Sequence, residues 1–238
     1  MMNEKTLGIL GGVGPLATVY FADLIVKMTP ADCDQDHIRT IVSNNPKIPD
    51  RTDYILDNTK PNPLPVMIKD AKMLESLGCD YIAIPCNTAH FFFDEIQKNI
   101  SVELINIVEE TVKFASDNVP NLQKLGILAT SGTLHSRVYE HVCERFGIEC
   151  CIPTDSETDR LMHIIYNEVK AGKPSSHKEL FSIIDSMKER GCDAVVLGCT
   201  ELSAIYYELG TQRVDIVDSM TSLAAACVKR IKNGVINI

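Results

Sequence analysis

A chain of 238 residues with 45% hydrophobic and 23% charged side chains is long and apolar enough to fold around a sizeable core, which excludes a largely disordered protein. Its formal net charge of −9 at pH 7 and its scattered basic residues exclude nucleic acid and anionic membranes as main partners, because both reward clustered Lys and Arg. No apolar run reaches the roughly 18–20 residues of a membrane span, and the mixed-charge N-terminus runs straight into a strand-like segment, so a soluble, cytoplasmic protein without a secretion signal is expected.

In chain order, Thr6–Leu10 reads as a strand, the small-residue turn GGVGP follows, and Ala17–Met28 has helical apolar spacing. Arg39–Ser43 reads as a second strand. Thr52–Pro65, with Pro61, Pro63 and Pro65, reads as a connecting loop. Val66–Leu77 places Ile68, Ala71, Leu74 and Leu77 on one helical face, and Gly78 supplies a C-terminal stop. Tyr81–Pro85 is the next strand and His90–Asn99 the next helix. This alternation predicts an α/β fold with a mainly parallel sheet and right-handed crossovers.

The second half echoes the first. LGILGG at Leu7–Gly12 returns as LGILAT at Leu125–Thr130. GCDYIAIPCNTAH, from Gly78, returns as GCDAVVLGCTEL from Gly191, and Val102–Ala115 returns at Val214–Val228. Three cognate pairs in one order, at nearly constant spacing, predict two pseudo-equivalent α/β lobes. The period is far too long for a solenoid.

The repeat sorts the nine cysteines. Disulfides are not expected in a cytoplasmic chain. Cys33, Cys143, Cys150, Cys151 and Cys227 have no motif around them, and most of these five are expected to be small buried hydrophobes. Cys79 and Cys192 open matched strands. Seven strand residues separate Cys79 from Cys86, roughly 20 Å, so the two share neither a metal ion nor a disulfide, and the spacing is not CxxC. Cys79 and Cys192 are expected to pack.

Cys86 and Cys199 close the same strands, and in parallel α/β sheets ligands bind at that end. Each precedes an expected helix start, where free N–H groups and the positive dipole end lower a thiol pKa and attract a carboxylate. Asn87, Thr88 and Thr200 add hydrogen-bonding side chains. A matched pair of thiols suits proton removal from one face of a carbon and return to the other, because thiolate and thiol can exchange the roles of base and acid.

PCNTAH around Cys86, GCTEL around Cys199 and GILGGVGPLAT at the N-terminus resemble the aspartate/glutamate racemase superfamily, and within it the aspartate racemase branch. The resemblance covers nearly the whole chain. Glutamate racemases open instead on an Asp-Ser-Gly-Val-Gly-Gly type of loop and follow the second cysteine motif with histidine. Here Glu201 follows Thr200, and Val13 stands where relatives on the aspartate side often carry methionine. The resemblance implies amino-acid racemisation without pyridoxal phosphate, metal or nucleotide, with aspartate the expected substrate. It also implies a homodimer and two lobes enclosing a cleft, residues 1–105 with 213–238 and residues 106–212. Cys86 and Cys199 would be the catalytic pair.

Aspartate carries two carboxylates and needs two anchors. Asn87, Thr88, Thr200 and Thr130 are candidates for the α-carboxylate. Arg51, just after the second strand, suits a bidentate contact to the other. Lys170 lies on a helix expected to end at Gly172. The aspartate racemase branch binds substrate with an arginine and a lysine in these two contexts. Tyr166, one turn before Lys170, can orient it or pack. Glu201 reads as a first-turn helix acid whose charge would raise a thiol pKa. His90 reads as a packed or capping histidine, and Asp159 and Arg160 as solvated charge. Other readings stay open. Gly12-Val-Gly14-Pro-Leu-Ala17 fits a loose dinucleotide-binding pattern, although Pro15 lacks an N–H. A glutamate or broad-specificity racemase, a hydantoin racemase or maleate isomerase, and an amino-acid-binding protein are the alternatives of function.

Overall fold

The computed structural model describes residues 5–210, 213–234 and 236. The chain divides into two compact units. One runs to Ile107 and resumes at Met220, and the other is Val108–Ser219. Residues 1–4, which open the segment read above as lacking an export signal, lie outside the described residues. So do 211–212, beside the expected lobe boundary.

The first unit contains β1 (Thr6–Gly11), α1 (Pro15–Met28), β2 (Arg39–Asn44), α2 (Arg51–Leu56), α3 (Leu64–Ser76), β3 (Tyr81–Ala83), α4 (Phe93–Gln97) and β4 (Glu103–Ile105). The sheet order is β2-β1-β3-β4 and every pairing is parallel, with Leu7 opposite Thr40 on one side and Tyr81 on the other. All six residues of β1 are buried, as expected of a central strand covered on both faces, whereas β2 lies at the edge and is half exposed. α5 (Ile107–Asn118) begins where the chain passes into the second unit.

The second unit contains β5 (Lys124–Leu128), α6 (Ser131–Ser136), α7 (Val138–Phe146), β6 (Glu149–Cys151), α8 (Asp155–Met162), a π-helical segment His163–Val169, α9 (His177–Glu189), β7 (Ala194–Leu197), α10 (Thr200–Leu209) and β8 (Ile216–Asp218). α11 (Ser219–Ile231) begins at the return crossing. The order β6-β5-β7-β8, again all parallel, repeats the first sheet strand for strand. The fold is therefore two-lobed α/β with parallel sheets, as the internal repeat predicts. No described helix is long and apolar enough to cross a membrane.

The repeated Gly-Cys-Asp triplets have a structural cause. Asp80 Oδ2 accepts from Thr6 N at 2.8 Å, and Asp193 Oδ2 accepts from Lys124 N and Gln123 N at 2.8 Å, so each aspartate clips the start of a central strand. Cys79 and Cys192 are buried against the strand glycines. A Cβ on Gly8 would lie 3.0 Å from Cys79 Sγ, and one on Gly126 would lie 3.3 Å from Cys192 Sγ. Their burial raises both thiol pKa values, that of Cys192 to about 12. All nine cysteines are free thiols, and of the five without a motif only Cys143 and Cys227 are buried: Cys33 is exposed and Cys150 and Cys151, on the edge strand β6, are partly exposed, which corrects the expectation of mostly buried side chains.

Three sequence expectations are corrected. The Thr52–Pro65 loop instead begins as helix: Asp50 caps α2 by accepting from Asp53 N at 3.1 Å, a local bond that overrides the proline-rich composition further on. The Tyr81–Pro85 strand pairs only to Ala83, since Pro85 has no N–H to donate to a ladder. The His90–Asn99 helix is a 3-10 turn, Thr88–Phe92, followed by the short α4.

Candidate active site

In the first unit the GGVGP turn leaves β1 and folds against the end of β2. Gly12 takes φ +82°, and a Cβ there would lie 2.2 Å from the Asn45 carbonyl carbon, so only glycine fits. Gly12 N donates to Thr18 Oγ1 (3.0 Å), whose hydroxyl donates to Gly14 O (2.9 Å). The first amide of the dinucleotide-like motif is thus satisfied within the turn. Asn45 is held from below by Asp70, with Nδ2 donating to Oδ2 at 2.8 Å. Asp70 is a buried carboxylate on α3 that sequence pattern does not single out.

Cys86 lies just past β3, as expected, and is buried in a cluster with Leu10, Val13, Ile48, Ala89 and Phe92. It precedes a five-residue 3-10 turn, Thr88–Phe92, with Asn87 at the N-cap position, and not the α-helix expected there. Asn87 and Thr88 are buried. The Cys86 carbonyl is fixed by His90: Nδ1 lies 2.9 Å from Cys86 O, and Nε2 accepts from Ile107 N at 3.1 Å. These contacts define a neutral ring with its proton on Nδ1. Burial drives its pKa down to about 4, against a partial offset by the backbone carbonyls of Cys86 and Ile105. Arg51 opens α2 and is buried, with Nη1 donating to Pro49 O at 3.0 Å. α2 packs on the turn that follows Cys86, with Tyr54 and Phe92 rings 5.9 Å apart. Arg51 therefore opens the helix that packs on the turn following Cys86.

In the second unit Cys199 is the N-cap of α10, just past β7. It is buried in a cluster with Leu128, Leu161 and Leu202, against which Tyr166 and Val169 pack. Its Sγ lies 3.0 Å from Glu201 Oε2. The backbone N–H of Glu201 at the helix start favours the thiolate, but it does not decide this thiol pKa. It stands well above the ordinary value because the group is buried and faces the Glu201 charge, with Lys170 pulling the other way. The sequence expectation of an activated thiol at a helix N-terminus is corrected for Cys199: desolvation and one carboxylate outweigh the dipole.

Lys170 follows the π-helical segment, and its Nζ sits 3.9 Å from the Tyr166 ring centroid, a cation–π contact that orients the ammonium. Thr200 is buried beside Cys199. Thr130 lies at the end of β5, but its hydroxyl caps α6 by accepting from Thr133 N at 3.2 Å. Arg160 is half-exposed and paired with Glu179 at 2.6 Å, so it is less solvated than its sequence context suggests. Among the described residues, no group of three or more His, Cys, Asp or Glu side chains is placed to hold a metal ion.

Comparison with known proteins identifies the family and the fold. The Asp/Glu/hydantoin racemase family model matches residues 10–227. Over 231 residues the chain is 29% identical to the broad specificity amino-acid racemase RacX of Bacillus subtilis (strain 168), spanning 93% of this chain and 96% of that one. It resembles the structure of the Picrophilus torridus aspartate racemase with a TM-score of 0.80 at 29% identity, over 96% of this chain and 94% of the other. The fold is also that of the glutamate racemase from Francisella tularensis subsp. tularensis SCHU S4 in complex with D-glutamate, with a TM-score of 0.69 at 16% identity, covering 98% and 82% of the two chains. With the family match running through both units, the chain belongs to the Asp/Glu/hydantoin racemase family.

Proposed function

We propose that this protein interconverts L- and D-aspartate by moving a Cα proton between two thiols, Cys86 and Cys199, without pyridoxal phosphate or another cofactor. The observation that carries this reading is the matched placement of the two cysteines. Each is buried, each lies just past the carboxyl end of the cognate strand β3 or β7, and the two sheets have the same strand order. One thiolate takes the proton from one face of Cα, and the other thiol returns a proton to the opposite face.

The choice of a dicarboxylic substrate rests on two cations. Arg51 opens α2, which packs on the turn after Cys86, and Lys170 acts electrostatically on Cys199. We assign them to the substrate carboxylates, with Asn87, Thr88, Thr200 and, by its place at the end of β5, Thr130 as further binding groups. A second reading, a broad-specificity amino-acid racemase, is favoured by the similarity to RacX along nearly the full chain.

Proton NMR of L-aspartate in D2O with the purified protein and no added cofactor tests both, followed by chiral chromatography. L-Glutamate and a neutral amino acid run in parallel, and Cys86→Ala and Cys199→Ala serve as controls. Loss of the Cα proton signal with D-aspartate appearing supports the proposal. Equal turnover of the neutral amino acid supports the broad-specificity reading. No exchange on any amino acid by folded, reduced protein refutes both.

A further inference from the structure

The two cysteines differ in the charge of their neighbours. Cys86 is followed by Asn87 and Thr88, whereas Cys199 is followed by Thr200 and Glu201, so a carboxylate stands where the first unit has a hydroxyl. Cys199 Sγ and Glu201 Oε2 are 3.0 Å apart, in surroundings where Cys199 is 5% and Glu201 7% exposed. At that distance a thiol meets a carboxylate by donating its proton. A thiolate there would face a second negative charge with little water between them. Both ends of the bond are fixed, because Cys199 is the N-cap of the ten-residue α10 and Glu201 lies in its first turn. The charged groups acting on Cys199 are Glu201 from α10 itself and Lys170, just beyond the π-helical segment packed against α10. Lys170 favours the thiolate, and burial and Glu201 oppose it more strongly.

From this asymmetry we propose that Glu201 is a positioning residue that keeps the proton on Cys199 in the resting protein, so that Cys199 begins the cycle as the acid and Cys86 as the base. The proposal rests on the racemase reading above. In the first turnover the Cys86 thiolate takes the Cα proton: the C–H bond breaks, an S–H bond forms, and the electron pair passes into the carboxylate-stabilised carbanion. The Cys199 S–H bond then breaks as its proton forms the new C–H bond on the opposite face. Cys199 is left as a thiolate beside Glu201 and Cys86 as a thiol. Proton exchange with water restores the starting state, with no oxidant or reductant.

The test is a pH titration of ultraviolet thiolate absorbance for wild type and Glu201→Gln, each read against its own Cys199→Ala background. The glutamine oxygen can still accept the S–H bond but carries no charge. The Cys199 ionisation is expected to move down by about one pH unit or more. Superimposable titrations would overturn the proposal. A second measurement needs no variant: limited alkylation of wild type near neutral pH, read by peptide mass spectrometry. Cys86 should be labelled before Cys199. The two residues are buried to a similar extent, at 7% and 5%. Labelling of Cys199 first would also overturn the proposal. Racemisation with unshifted titrations would reject the Glu201 role alone. A shifted titration without any Cα exchange would reject the racemase reading, and with it the acid and base roles, while leaving the Glu201–Cys199 pairing in place.

Discussion

Acidification just below neutrality should loosen the first unit through His90. The ring is fully buried, donates from Nδ1 to the Cys86 carbonyl at 2.9 Å, and accepts at Nε2 from Ile107 N at 3.1 Å. A proton added at Nε2 would point at an N–H donor and bury a charge. Burial accordingly lowers the pKa to about 4, from an ordinary 6.5 that the unfolded chain keeps. Between those two values the unfolded state binds a proton that the folded state refuses. Stability is therefore complete above about pH 6.5 and falls as pH drops towards about 4. A difference of about 2.5 pH units corresponds to roughly 3 kcal/mol, a large share of the 5–15 kcal/mol typical of a folded domain. The control is His90→Asn. Its amide nitrogen stands near the Nδ1 position and can serve Cys86 O, but nothing replaces the acceptor for Ile107 N. At neutral pH the variant should be less stable by about 1–3 kcal/mol. Urea unfolding midpoints for both proteins, from about pH 7 down to about pH 4, give the comparison. Carboxylates titrate alike in both and cancel in the difference. The gap between the curves should close as pH falls. Parallel curves would refute the assignment of a buried neutral histidine.

Lys170→Met keeps bulk and removes the cation. If Lys170 holds the side-chain carboxylate, the substitution should lower kcat/KM for aspartate about 10–100-fold and lower that for a neutral amino acid by less, the smaller loss reflecting the Lys170 charge acting on Cys199, checked by chiral chromatography of both substrates. Equal loss on both would remove Lys170 from side-chain carboxylate binding. Gly12→Ala should cost more than about 3 kcal/mol, because its Cβ meets the Asn45 backbone at 2.2 Å. Gly78→Ala has a similar φ of +85° but open space around the added carbon, so it should cost only the strain of about 1–2 kcal/mol. Thermal unfolding of the two variants measures the contrast, and equal losses would show that steric overlap at Gly12 is not the cause.

Much of the fold is legible from local pattern. Strand β1 is a short apolar run closed by glycine, α3 has one apolar face and a glycine stop, and their alternation with further strands implies a parallel sheet. The internal repeat carries further still, since two segments with the same order of motifs fold to the same strand order. Helix α2 was less legible, because its start depends on one capping bond from Asp50 while the prolines further along signal a loop. The helix expected at His90–Asn99 is a 3-10 turn, Thr88–Phe92, and the short α4, because apolar spacing does not separate these from one continuous helix.

The sequence by itself determined which residues carry the chemistry in this reading. Paired motifs at the ends of cognate strands single out Cys86 and Cys199, and the preceding Gly-Cys-Asp triplets mark where each strand begins. Their spacing along the chain is a backbone property, set by strand length and by the glycines at each end. Only the tertiary structure decided the state of those groups. The Cys199 proton is governed by burial, by Glu201 at 3.0 Å and by Lys170 twenty-nine positions earlier in the chain, and the Cys86 carbonyl by a histidine that also reaches Ile107. Protonation depends on the local dielectric and on charges brought together from distant positions, and no one-dimensional pattern records either.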